Sequence, residues 1–212
     1  MQNAENFWDK IAAKYAKTPI ADMDAYTCTL ERTRSYLSPE DSVLEVGCGT
    51  GSTALLLAGD VRQITASDLS GNMIGAGSEK ARDQGISNVK FVKAGLFDSA
   101  IENGPYDSIL ALNLLHLLED TPAAIGRING LLKPGGTFIS ETVCQPGSGA
   151  PFKFWLIKMI LPLMQMIGKA PYVKFMEIAE LEEIVSSGGF KIIETGNYPA
   201  SPPSRYIVAR KM

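Results

Sequence analysis

Three glycines at alternate positions, Gly47, Gly49 and Gly51, follow a carboxylate at Glu45, and this spacing is the part of the chain best suited to chemistry. Glycine reaches positive φ and carries no Cβ, so a ligand can lie against bare backbone while the first N–H groups of a following helix point at it. Val43, Leu44 and Val46 read as a buried strand and residues 52–58 as a helix, so the glycines form the turn between them. Such a turn predicts a nucleotide-like ligand. A carboxylate in a buried strand needs a cation or hydrogen-bond donors, and a positively charged ligand would satisfy Glu45. The dinucleotide fingerprint spaces its second and third glycines three apart around a pyrophosphate. Here Gly49 and Gly51 are two apart.

Asp68 ends the next strand, residues 64–67, about 20 residues past the turn, where a carboxylate can accept from a ribose diol or merely start the following turn. His116 is the only histidine and stands at the mouth of the fourth strand, which makes it a candidate general base beside Glu141, just past the fifth strand, and Tyr26. A plain loop or helix-start position accounts for this histidine better.

The elements that must hold these groups alternate strand and helix. Phe7, Trp8, Ile11, Ala12 and Tyr15 share one face of a helix over residues 4–17, and a second helix spans about residues 22–37. Ser70 can cap a helix running to Gln84, in which Gly71, Gly75 and Gly77 mean either close backbone packing or a mobile segment. Residues 89–92, 105–112 and 137–140 are further strands. Thr121 and Pro122 start a helix carrying Ile125, Ile128, Leu131 and Leu132. After a helix over 177–187, residues 190–195 and 206–210 are joined by too few residues for a crossover helix, so an antiparallel hairpin closes the sheet.

The chain of 212 residues, 45% hydrophobic and 20% charged, reads as one soluble globular domain. A net charge of −3 argues against nucleic acid and weakly against an anionic membrane surface. Cys28, Cys48 and Cys144 show neither a disulfide framework nor zinc spacing, and the first residues lack the order of a signal peptide, so a cytoplasmic protein without a metal is expected.

The run of residues 43–51, an acid followed by Gly-Cys-Gly-Thr-Gly, resembles motif I of class I S-adenosylmethionine-dependent methyltransferases. Asp68, the Tyr106-Asp107 start of the fourth strand and the Leu-Lys-Pro-Gly-Gly turn at 132–136 follow in the family's order. The resemblance implies an α/β, doubly wound Rossmann-like sheet of seven strands, order 3-2-1-4-5-7-6 with the last antiparallel. It further implies S-adenosyl-L-methionine as cofactor, held by Tyr15, Glu45, Gly47, Cys48, Gly49, Gly51, Asp68, Leu69, Asn113 and Leu114. Where the family usually places Gly-Asp after the third strand this chain has Ala94-Gly95, so adenine would meet the backbone of Gly95 and Leu96, or Asp98. Residues 1–38 would form an N-terminal helical cap and 144–176 an apolar insertion on a single 1–212 domain.

The expected reaction is in-line methyl transfer to a small, apolar or ring-containing acceptor, as in quinone methylases. A catalytically silent binding protein of the same fold and an NAD-dependent oxidoreductase are the rival readings. Residues 151–168 are almost wholly apolar, with Lys158, Gln165 and Lys169 as a narrow polar stripe. Three readings stand open for them: a lid over an apolar acceptor, a peripheral membrane contact, or a contact with its own domain or a second copy in a homodimer.

Overall fold

In the computed structural model, which describes residues 2–102, 104–146 and 152–212, the apolar runs become seven strands. They are β1 (Ser42–Val46), β2 (Gln63–Asp68), β3 (Val89–Lys93), β4 (Tyr106–Leu112), β5 (Leu132–Val143), β6 (Phe190–Asn197) and β7 (Ser204–Lys211). The sheet has the order β3-β2-β1-β4-β5-β7-β6, with β1 to β5 parallel to one another and β7 antiparallel to both β5 and β6. This is the doubly wound arrangement expected. The chain leaves β1 toward one edge and returns through β4 toward the other, so a crevice opens at the carboxyl ends of β1 and β4.

The helices are α1 (Gln2–Tyr15), α2 (Met23–Arg34), α3 (Ser52–Leu57), α4 (Gly71–Asp83), α5 (Thr121–Leu131), α6 (Phe152–Met166) and α7 (Ile178–Ser187). Burial on both faces of the sheet explains why its central strands are apolar without alternation: all five residues of β1 are buried. One core layer joins Ile125, Ile128, Leu181, Val185 and Phe138, and the other joins Leu30, Leu55, Leu57, Ile64 and Val208. Each such side chain contributes about 1.5–3 kcal/mol by leaving water.

Several local details differ from the sequence reading. Asp120 rather than Thr121 caps α5, its carboxylate accepting the Ala123 N–H at 2.9 Å. Leu132 already pairs with Tyr106, the pairing resumes at Ser108 and Thr137, and the Pro-Gly-Gly turn bulges between them. Gly77 resolves the choice posed by the glycines of α4, because a Cβ there would lie 2.4 Å from the Phe91 ring. Close packing is the reason at that position, whereas Gly75 faces open space.

The N-terminal pair is fastened over the carboxyl end of the sheet. Asp9 of α1 accepts from the Ser70 hydroxyl at 2.6 Å and the Asn72 N–H at 3.0 Å, and Glu5 pairs with Lys93 at 2.7 Å. Arg32 of α2 and Tyr36 just past its end bind Glu194, and Arg34 binds Asp60 at 2.8 Å. These bonds place α1 and α2 beside the glycine turn. Pro151 and residues 147–150 of the expected insertion lie outside the described residues, as does Met1 of the cap. Among the described residues no helix is long and apolar enough to cross a membrane.

Candidate active site

The glycine turn is left-handed at every glycine, with φ of +70° at Gly47, +53° at Gly49 and +71° at Gly51. Their surroundings divide them. A Cβ on Gly51 would stand 2.4 Å from Phe91 and one on Gly47 2.8 Å from Leu114, whereas Gly49 meets only the Tyr15 ring, at 3.6 Å. Gly51 is therefore a packing glycine outside the cavity lining, and Gly47 and Gly49 present bare backbone to the cavity.

That cavity, about 450 Å³, is lined by Tyr15, Glu45, Gly47, Cys48, Gly49, Asp68, Leu69, Asn113 and Leu114, together with Tyr26 and Glu141. Most of the residues the sequence singled out are thus brought together. Gly95, Leu96 and His116 are not on its wall. Leu96 is packed into the core, and the Gly95 N–H is taken by Asp98 at 3.3 Å, which closes their turn locally. His116 sits in a short 3-10 turn, Leu115–Leu117, with its carbonyl accepting the Lys174 N–H at 2.7 Å. Its Nδ1 is buried without a partner, and burial pushes the imidazole down to about 4, so it is neutral at physiological pH.

Glu45 is 3% exposed and accepts the Ala54 N–H, yet its Oε2 has no partner. Burial pushes the carboxyl up to about 8; the Ala54 bond opposes this and nearby Asp68 adds to it. Asp68 accepts the Gly49 N–H at 3.0 Å on one oxygen and the Ser70 N–H at 2.8 Å on the other, tying the glycine turn to the start of α4. Burial outweighs these bonds and raises it as well. The Cys48 thiol is raised by burial and by Glu45 and Asp68, which keeps it protonated.

Among the described residues Asn113 is the one non-glycine residue with positive φ, +56°, and its N–H is held by the Glu141 carbonyl at 2.7 Å. Strained backbone at a cavity rim persists only where its surroundings fix it. On the far wall Glu141 accepts from the Ser204 hydroxyl at 3.0 Å and from Thr29, and burial nonetheless raises its carboxyl. Tyr26 touches the Thr53 hydroxyl at 3.2 Å.

Sequence reasoning missed Thr29, Thr33, Lys80 and Tyr172 on the wall. Lys80 donates to the Thr50 hydroxyl at 2.8 Å, a contact across 30 residues that no local pattern reveals. Trp8 was legible, because it shares the Tyr15 face of α1 at a spacing of seven. Among the described residues no cluster of His, Cys, Asp or Glu could hold a metal ion.

Residues 43–136 match the family described as "Methyltransferase domain". An uncharacterized methyltransferase of Mycobacterium tuberculosis is 30% identical over 104 residues, 49% of this chain and 51% of the relative. The ubiquinone/menaquinone biosynthesis C-methyltransferase of Shewanella halifaxensis is 33% identical over 112 residues, 51% of this chain and 45% of its own length. The chain thus spans about half the length of the curated relatives it matches. Magnesium protoporphyrin IX methyltransferase from Synechocystis, solved with bound SAH, shares the fold with a TM-score of 0.74 over 98% of each chain at 20% identity. The family match runs from β1 to Gly136, on a sheet wound in the strand order that the resemblance to class I S-adenosylmethionine-dependent methyltransferases implies.

Proposed function

We propose that the chain transfers a methyl group from S-adenosylmethionine to a small, largely apolar or ring-containing acceptor. The observation that carries this is the orphaned Oε2 of Glu45, buried at the end of β1 against two glycines that present bare backbone. A buried carboxyl with an unpartnered oxygen beside an open cavity suits a cationic ligand, which would stabilise its ionised form, and not a pyrophosphate, which would disfavour it. When bound, S-adenosylmethionine supplies an electrophilic methyl on a positively charged sulfur.

The chain's own groups divide the remaining work. Glu45 opposes the ligand's positive charge, and Asp68, fixed by two backbone N–H groups, keeps lone pairs for hydroxyl donors. Trp8 and Tyr15, whose rings meet edge to face at 6.3 Å, roof the cavity and exclude water. Leu30, Leu112, Leu117, Leu118 and Tyr172 make the rest of the wall predominantly apolar, which favours an apolar acceptor. Glu141 is the polar group on that wall suited to take a proton from the acceptor, since burial has raised its carboxyl. His116, away from the cavity wall, is the less suited of the two. The similarity to a quinone-pathway C-methyltransferase supports the same acceptor class.

A thermal-shift comparison tests the reading. S-adenosylmethionine raises the melting point and NAD leaves it unchanged, and methyl label from the former appears on an apolar ring compound. Stabilisation by NAD alone would contradict it.

A further inference from the structure

Helix α6 is turned inside out. Two of its polar residues are engaged by the protein: Lys158 donates to Gln145 at 2.8 Å and Gln165 to the Pro171 carbonyl at 2.9 Å. An apolar stripe faces solvent, with Trp155, Met159, Leu163 and Met166 spaced four, four and three apart, while Phe154, Leu161 and Met164 are half-buried. Met159 is 72% and Met166 77% exposed. An ordinary surface helix has the opposite arrangement. None of these residues lines the cavity, although the chain just beyond α6 does so through Pro171 and Tyr172.

The charges around this stripe are equally one-sided. Residues 10–21 and 142–176 together hold seven lysines and none of the chain's 23 acidic residues; of the seven, Lys174 is paired with Glu180 at 2.9 Å and Lys158 is bound to Gln145. The overall charge of −3 therefore conceals two cationic stretches. Both contribute to the cavity wall, the first through Pro19 and Ile20, the second through Pro171 and Tyr172. Lys14, Lys17 and Lys169 are exposed.

We infer that this face docks on an anionic phospholipid bilayer, with the α6 stripe entering the headgroup boundary and the cavity mouth held near the membrane. An exposed apolar stripe flanked by lysines with an outward Trp suits that surface. A second copy suits it less, because a two-fold contact sets the same stretch against itself and 142–176 has no acid to meet its lysines. The docking stands apart from methyl transfer; only the identity of what enters the cavity rests on the proposed function.

Co-sedimentation of the full chain with vesicles of phosphatidylcholine and phosphatidylglycerol, about 7:3, against pure phosphatidylcholine tests this. At least tenfold stronger binding to the anionic vesicles is expected, weakened by about 0.5 M salt. The pair Met159→Glu and Leu163→Glu lowers binding at least tenfold with S-adenosylmethionine binding unchanged. Lys169→Glu alone, which leaves the apolar stripe intact, lowers it about fivefold. Equal binding to both vesicle types, no binding, or a solution dimer dissociated by the paired substitution would each overturn the inference. A chain that docks but fails to bind S-adenosylmethionine would instead refute the proposed function alone.

Discussion

The two ends of the central strands are both concave and both carry carboxylates, yet they treat them in opposite ways. At the amino end, beside a polar cleft of about 530 Å³, Asp107 pairs with Lys133 at 2.6 Å and accepts the Ser42 N–H at 2.9 Å. Burial would raise that carboxyl, but the Lys133 and Ser42 hydrogen bonds prevail and hold it below its usual range. At the carboxyl end Glu45 keeps one oxygen without a partner and is pushed up to about 8. The lesson is that hollowness does not mark the site. A carboxylate that the fold buries and leaves incomplete does, because its missing partner must come from outside.

Glycines in the two regions sharpen the contrast most. Gly51→Ala combines a left-handed φ with a Cβ 2.4 Å from Phe91, so a loss of about 2–4 kcal/mol is expected in urea denaturation. Gly135, in the turn at the other end, has φ +72° but open space around it, and Gly135→Ala should cost only about 1 kcal/mol. Equal losses would mean that packing on Phe91 does not define the motif's last glycine.

The carboxylates come next. Glu45→Gln should weaken S-adenosylmethionine binding about 30- to 100-fold by calorimetry, since it removes the charge that opposes the ligand. Asp107→Asn should leave that binding unchanged and cost about 1 kcal/mol of stability, because its ion pair is part-exposed. A reversed pattern would show that the amino-end cleft is the binding site.

The smallest effect is in pH. A carboxyl with a folded pKa of about 8 holds its proton longer folded than unfolded, so its contribution to stability falls as pH rises from about 4.5 to 8. His116, pushed down to about 4, acts in the other sense but only below its ordinary 6.5. Between about pH 6.5 and 8 the ligand-free protein should therefore lose roughly 1 kcal/mol per unit, and Glu45→Gln should flatten that slope.

Much of this was written in the sequence. Alternating strand and helix patterns specify the elements, because each is a local backbone requirement, while the sheet order and most of one cavity wall come from the family resemblance carried by the glycine run with Glu45, Asp68 and the turn at 132–136. The opposite wall was not legible. Thr29 and Glu141 are 112 positions apart and meet only because α2 is bound to β6 through Glu194 and to the turn after α3 through Asp60. The polar stripe of α6 was visible, but not that Lys158 and Gln165 are engaged by the protein, since that depends on Gln145 and Pro171 accepting from them. His116 looked available because it is unique in type; the 3-10 turn that removes it from the cavity carries no sequence mark.

The central claim is that Glu45 is held incomplete for a cationic ligand. Calorimetric titration of S-adenosylmethionine at about pH 6.5, in two buffers of different ionisation enthalpy, counts the protons exchanged on binding. The account predicts release of about one proton by the wild-type chain and none by Glu45→Gln. Tight wild-type binding with no proton released, or with one taken up, would contradict it.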